Sequence, residues 1–220
     1  HSMEKQAAAD SDEGLRTIII GAGMAGLLAA IKLRERGETD FTIYEKGDSV
    51  GGTWRENTYP GLSCDTPAHA YSYSFALNPD WSAVYAPGPE IKAYFEAIAR
   101  RYDLYPAIRF NSEIASAEWD DGKWHIRTKD GQSDWGHVLI AATGVLHHPS
   151  LPDIPGLADF AGASFHSARW DHSVPLDGKR IGVIGSGSTG VQIVSALARR
   201  AARLVQFQRS PQWIMPCPDT

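Results

Sequence analysis

Two stretches of the chain share one pattern of apolar and polar positions. "RTIIIGAGMAGLLAAIKLRERG" (16–37) and "KRIGVIGSGSTGVQIVSALARRA" (179–201) each run from a β-branched segment through a glycine-rich turn into an apolar-periodic stretch with a charged end. Each is followed by a further apolar segment, 41–46 and 203–210. That order predicts two βαβ units with parallel strands. Between them, Ile91, Tyr94, Phe95, Ile98 and Tyr102 fall at helical spacing within 88–104. Residues 108–131 predict short strands, with a hairpin at "DDGK" (120–123). "HVLIAATG" (137–144) reads as a buried strand closed by a glycine turn. The Gly-, Pro- and aromatic-rich run 51–75 reads as a long ordered loop, and the Pro-rich run 145–160 as a linker or domain boundary.

Composition narrows the classes. A length of 220 residues suits one large domain or two small ones, and 43% hydrophobic with 21% charged residues is ordinary for a soluble globular protein. A net charge of −5 without a basic run argues against a nucleic-acid partner. No stretch supplies the ~20 clean apolar residues of a membrane span. Residues 1–14 form a polar tail without a signal peptide's apolar core, and His1-Ser2 before Met3 reads as an expression scar. The two cysteines, Cys64 and Cys217, form no CxxC pair, which suits a reducing cytoplasm and disfavours a zinc site or a redox disulfide. His147 and His148 read as loop residues, not metal ligands.

The glycine-rich turns carry the chemistry. "GAGMAG" (Gly21, Ala22, Gly23, Gly26) follows a strand in GxGxxG spacing. The first glycine permits the tight turn, the second a close approach of backbone to pyrophosphate, the third close helix–strand packing. The helix N-terminus then offers free N–H groups to phosphate. Glu45 ends the next strand, 19 residues after Gly26, where a carboxylate can accept both ribose hydroxyls. "GSGSTG" (Gly185, Ser186, Gly187, Ser188, Thr189, Gly190) repeats the spacing, but its second strand ends in Arg209-Ser210 with no acid. A cation and a hydroxyl there suit a 2′-phosphate, hence NADP(H); Arg209 as a solvated surface cation is the other reading. Two such sites imply a flavin paired with a nicotinamide cofactor.

With those residues in place, the chain resembles a type I Baeyer–Villiger monooxygenase, a class B flavoprotein monooxygenase. The resemblance rests on the GxGxxG pair, on "GGTWRENTYPGLSCD" (51–65), on "AATG" (141–144), and on Phe160, Gly162, His166, Trp170 and Asp171, which fit the fingerprint FxGxxxHxxxW followed by Pro or Asp. It implies an α/β protein with two Rossmann-like, glutathione-reductase-like folds: an FAD-binding domain at 15–146, a linker with the fingerprint at 147–178, and the start of an NADPH-binding domain at 179–220, the second fold being incomplete. It assigns FAD to Gly21, Ala22, Gly23, Gly26, Glu45, Lys46, Gly52, Thr53, Trp54, Asp65 and Tyr71. It assigns NADPH to 185–190, Gln192, Arg209 and Ser210. The implied reaction inserts one oxygen of O2 beside a ketone carbonyl through a C4a-peroxyflavin, giving an ester or lactone.

The catalytic role that carries over is that of Asp65, which in the family supports an arginine and the flavin; the alternative is a carboxylate capping a local turn. Trp54 and Tyr71 read equally as loop-anchoring aromatics, and His166 as a packing histidine. The family's chains are more than twice as long, and its catalytic arginine matches no residue here. The chain is therefore expected to be an N-terminal portion, inactive alone, with the remaining portion as its partner. The alternatives are an N- or S-oxidising flavin monooxygenase and an inactive nucleotide-binding fragment.

Overall fold

The computed structural model describes residues 14–216; most of the 1–14 tail, and Cys217, lie outside them. The chain packs as two compact units. One holds the residues up to Gly52 together with Phe95–Val145; the other holds Thr53–Tyr94 together with the residues from Leu146 on. The division does not follow chain order: Thr53–Tyr94, inside 15–146 by sequence, packs with the later residues.

In the first unit, β1 (Thr17–Ile20) and β2 (Phe41–Tyr44) flank the helix α1 (Met24–Glu35). The β-branched "TIII" is a strand because such side chains pack well on a pleated surface. Ile18, Ile19 and Ile43 are fully buried. β1 pairs in parallel with β2, Thr17 against Phe41 through Ile20 against Tyr44. On its other side β1 pairs in parallel with β7 (Val138–Ala141). β2 in turn pairs with the short β3 (Ile108–Arg109), giving the order β3-β2-β1-β7. A short helix of the second unit, α2 (Thr53–Glu56), interrupts the long loop, and α3 (Gly88–Arg101), whose residues from Phe95 on belong to the first unit, realises the predicted helical spacing. Ile91, Tyr94, Phe95 and Ile98 are buried along one face of it.

The antiparallel β4 (Ile114–Asp120), β5 (Lys123–Thr128) and β6 (Ser133–Gly136) form a separate three-stranded meander. Its first hairpin turns at Asp121 and Gly122, whose φ values of 45° and 74° fit the two left-handed positions of a type I′ turn. Ile126 and Ala117 face the parallel sheet and pack with Ile18, Tyr44, Ile20 and Leu139. β7 is a strand, as expected, but not a buried one: Val138 is 37% exposed. The cause is topological, because β7 occupies the sheet's edge.

One polar knot ties the meander to the parallel sheet. Asp134 Oδ2 accepts from the Arg16 guanidinium at 2.6 Å and from the Tyr44 hydroxyl at 2.6 Å. Arg16 also reaches Asp40 at 2.8 Å and the Trp135 carbonyl at 2.9 Å. Burial raises the Asp134 carboxyl, but the bonds from Tyr44, the Trp135 N–H and Arg16 outweigh it and hold the group below its ordinary value. Burial, with Asp134 beside it, pushes the Tyr44 phenol up to about 12.

In the second unit β8 (Arg180–Ile184) and β9 (Arg203–Phe207) pair in parallel, with α4 (Ser188–Leu197) between them in sequence. Ile193 and Leu197 of α4 form a buried cluster with Tyr59, against which Leu62, Trp170, Ile181, Val183 and Leu204 pack. No helix among the described residues is long and apolar enough to cross a membrane.

The knot sets a pH dependence. A lowered carboxyl stabilises the fold above its unfolded value, near 4, and the contribution is lost as pH falls through the folded value. A raised phenol contributes fully below pH 10 and is lost as pH climbs toward about 12. Urea midpoints measured against pH should therefore fall at both ends. Asp134→Asn should flatten the acid limb and lower stability at neutral pH by about 1–3 kcal/mol.

Candidate functional site

Each glycine turn is enforced sterically. Gly21 has φ +105°, and a Cβ there would lie 2.4 Å from the Ala142 carbonyl oxygen. A Cβ on Gly26 would lie 1.8 Å from the Gly21 carbonyl oxygen, so the turn and the helix leave no room for any side chain. Gly23 is the N-cap of α1; no side chain caps the helix there and no acid stands in its first turn. A helix start of that kind suits an anion through its dipole. Gly52 approaches the same point, a Cβ on it lying 3.2 Å from the Gly23 Cα.

Glu45 is 3% exposed and braces this turn from the end of β2. Its Oε2 accepts the Ala22 N–H at 2.8 Å and its Oε1 the Gly47 N–H at 2.7 Å. Sequence reasoning assigned Glu45 to a ribose and missed this bracing, which carries no local signal because Ala22 lies 23 residues away. Lys46 follows, half-buried.

The second unit repeats the device. Gly185 has φ +124°, and a Cβ on Gly190 would lie 2.6 Å from the Gly185 carbonyl oxygen. Gly187 caps α4 with no side-chain bond and no acid in the first turn. A Cβ on Gly187 would meet nothing within 4 Å, so packing does not require that glycine. The Gln206 amide donates to the Gly185 carbonyl at 2.9 Å. Ser186 donates to the Ser210 carbonyl at 3.3 Å, which brings the turn to the end of the second strand. Arg209 and Ser210 are exposed there.

The aromatic residues of the 51–75 run anchor it. Trp54, buried, meets Tyr71 edge to face at 5.7 Å and donates its indole N–H to the Tyr71 hydroxyl at 3.2 Å. Burial raises the Tyr71 phenol, so the hydroxyl stays protonated. Thr53 opens α2 and is exposed. Asp65 is exposed and accepts from the Ser188 hydroxyl at 3.3 Å. Gln192 does not point into open space: its Oε1 takes the Tyr59 hydroxyl at 2.9 Å and its Nε2 donates to the Ser63 carbonyl at 2.9 Å. Thr189 also bonds the Tyr59 hydroxyl. These ties span 129 to 133 residues of sequence, and no local pattern announces them.

The fingerprint residues each have a local partner. A Cβ on Gly162 would lie 2.6 Å from the Phe160 ring, itself 62% exposed. His166 caps the short turn Ser167–Arg169, its Nδ1 accepting the Ala168 N–H at 3.0 Å. Trp170 packs into the Tyr59–Ile193–Leu197 cluster and meets Phe165 edge to face at 5.0 Å. Asp171 accepts the Ser173 N–H and hydroxyl at 2.9 and 2.6 Å, a short turn that lowers its carboxyl. The neighbouring His172 bonds Thr58 at 2.7 Å.

Parallel strands, enforced glycine turns and uncapped helices define an α/β protein with two Rossmann-like units. The sequence model of the flavin-binding monooxygenase-like family matches residues 14–217, and the chain belongs to that family. It is 55% identical over 201 residues to an uncharacterised monooxygenase of Mycobacterium tuberculosis, covering 91% of this chain and 41% of the relative. It is 46% identical over 209 residues to a Baeyer–Villiger monooxygenase of Streptomyces coelicolor, covering 94% of this chain and 40% of the relative. Among solved structures it is similar to a cyclohexanone monooxygenase mutant from Rhodococcus bound to NADP+, with a TM-score of 0.86 and 38% identity, covering 92% of this chain and 40% of that one. The chain thus spans about two fifths of the length of these relatives.

The two kinds of glycine predict different losses. Gly190→Ala, whose Cβ strikes backbone, should destabilise the second unit by about 2 kcal/mol or more in urea unfolding. Gly187→Ala, with open space around it, should cost within about 1 kcal/mol, yet weaken nucleotide binding at least tenfold in calorimetry.

Proposed function

We propose that this chain is the two-nucleotide portion of an FAD- and NADPH-dependent monooxygenase of the Baeyer–Villiger type. The reading rests above all on one observation. Two strand–glycine–helix turns, each closed to any side chain at its third glycine, present uncapped helix N-termini. One is followed by an acid, Glu45, and the other by a cation and a hydroxyl, Arg209-Ser210. The fit to a dinucleotide is steric and electrostatic: a cradle that a Cβ would fill, at the start of helices whose own first turns hold no acidic residue.

In this reading the first turn holds the FAD pyrophosphate through Gly21, Ala22, Gly23 and Gly26, and Glu45, already fixed by two backbone bonds, orients the ribose. Lys46 and Gly52 border the same turn. The family resemblance adds Thr53, Trp54, Asp65 and Tyr71 to the residues assigned to the flavin. Residues 185–190 hold the NADPH pyrophosphate, and Arg209 with Ser210 selects the 2′-phosphate. The flavin, when bound, supplies the ring that accepts hydride from NADPH and activates O2 for insertion beside a ketone carbonyl.

Asp65 then contributes a fixed carboxylate. Exposed, with a hydroxyl on one oxygen, it can orient a guanidinium by charge-assisted bonds. Phe160, Gly162, His166, Trp170 and Asp171 shape the connector. The relatives exceed this chain by more than twofold in length, and turnover belongs to a protein of that length; the 220-residue chain alone should give no NADPH-dependent oxygen uptake with ketone.

Product analysis of the full-length protein tests the reading. With NADPH, O2 and equal cyclohexanone and thioether, the expected main product is the lactone. Sulfoxide alone would replace the reading with a sulfur-oxidising monooxygenase. Arg209→Ala should raise KM for NADPH about tenfold, roughly 1.4 kcal/mol, and leave KM for NADH unchanged.

A further inference from the structure

Ser188, Gln192 and Ala196 form one ridge of α4, at i, i+4 and i+8, each step rising about 6 Å. Gly61, Ser63 and Asp65 alternate along a run that pairs across to Pro87 in an antiparallel bridge at Ser63. The two runs meet one to one in opposite directions. A Cβ on Gly61 would lie 2.6 Å from the Gln192 carbonyl oxygen and 2.9 Å from the Ala196 Cβ. Ser63 receives the Gln192 amide on its carbonyl at 2.9 Å and on its hydroxyl at 3.3 Å, and its own N–H faces Gln192 Oε1 at 3.5 Å. Asp65 receives the Ser188 hydroxyl at 3.3 Å. Tyr59, 7% exposed, closes the remaining side of the Gln192 carboxamide at 2.9 Å.

The middle contact dominates. Gly61 contributes shape and Asp65 one long bond, whereas the Gln192 carboxamide stands in for a peptide group on Ser63. The far side of the run is also held, with the Cys64 N–H on the Ala86 carbonyl at 3.0 Å and the Gly88 N–H on the Leu62 carbonyl at 2.9 Å. The run is therefore held between α4 and residues 86–88.

We propose that Gln192 is a positioning residue that seats the Gly61–Asp65 run on α4 and so ties Asp65 to the helix whose N-terminus holds the second nucleotide. The inference rests on the reading of the second fold as a nucleotide site. It changes the role of Gln192 from nucleotide contact to mechanical tie. Occupancy at the head of α4 is then transmitted to Asp65 by a shared ridge.

Cys64 reports on the seating. It lies between Ser63 and Asp65, is 3% exposed, and burial pushes its thiol up, so it should alkylate slowly. The test uses the 220-residue chain with Cys217→Ser, which leaves Cys64 as the one thiol. Gln192→Met, similar in length but without the amide, should raise the maleimide rate of Cys64 at least tenfold. Gln192→Glu, which keeps the acceptor for Tyr59 and loses the donor to Ser63, should fall between. Leu204→Ala, which thins the apolar cluster under α4 but removes none of the hydrogen bonds between Gln192 and the run, should change the rate less than twofold. Saturating NADP+ should slow alkylation in the parent and not in Gln192→Met. A Gln192→Met rate equal to that of the parent, or of Leu204→Ala, would overturn the proposal. If calorimetry shows no NADP+ binding while Gln192→Met still exposes Cys64, the nucleotide reading fails and the seating stands.

Discussion

A backbone carbonyl packed against a glycine Cα governs both halves of this protein. Where the strand ends, the Gly21 and Gly185 carbonyls fold back onto Gly26 and Gly190, and no side chain fits between them. That contact aims each helix N-terminus back past the strand end and leaves it uncapped. The second strand of each unit then braces its turn, with opposite chemistry. Glu45 accepts N–H groups around the first turn, whereas Gln206 donates to the carbonyl of the second. An acid at one strand end and none at the other is a difference of construction as well as of ligand preference.

The stretch between the two folds is less a linker than a packing element. Thr53–Tyr94 belongs to the unit that contains α4, and Tyr59, Leu62 and Trp170 complete the apolar cluster under that helix. Trp54 and Tyr71 hold each other, and Gly61 is a glycine because the backbone of α4 lies against it. The fingerprint residues join this arrangement through ordinary local physics: a histidine cap, an aspartate turn and a half-buried indole.

Much of this was legible in the sequence, and the exceptions have a common cause. Both βαβ units, the 88–101 helix and the hairpin at Asp121-Gly122 follow from periodicity and turn chemistry, which are local. The glycine turns were legible because their constraint lies within six residues. The burial of β7 was misjudged because burial depends on sheet order, and an apolar strand reads alike at centre and edge. The bracing by Glu45 and the clamp of Gln192 on Ser63 span 23 and 129 residues, and a single sequence carries no mark of them. The grouping of Thr53–Tyr94 with the later residues was hidden for the same reason.

The central claim is that two separate glycine turns each take a dinucleotide phosphate. ADP carries the adenosine and pyrophosphate common to FAD and NADPH, so it addresses both turns alike. Native mass spectrometry and calorimetry of the 220-residue chain with ADP count the sites directly. The account predicts two ADP molecules bound per chain, each removed independently by an alanine at the second glycine of its own turn. Saturation at one ADP, or none, would contradict it.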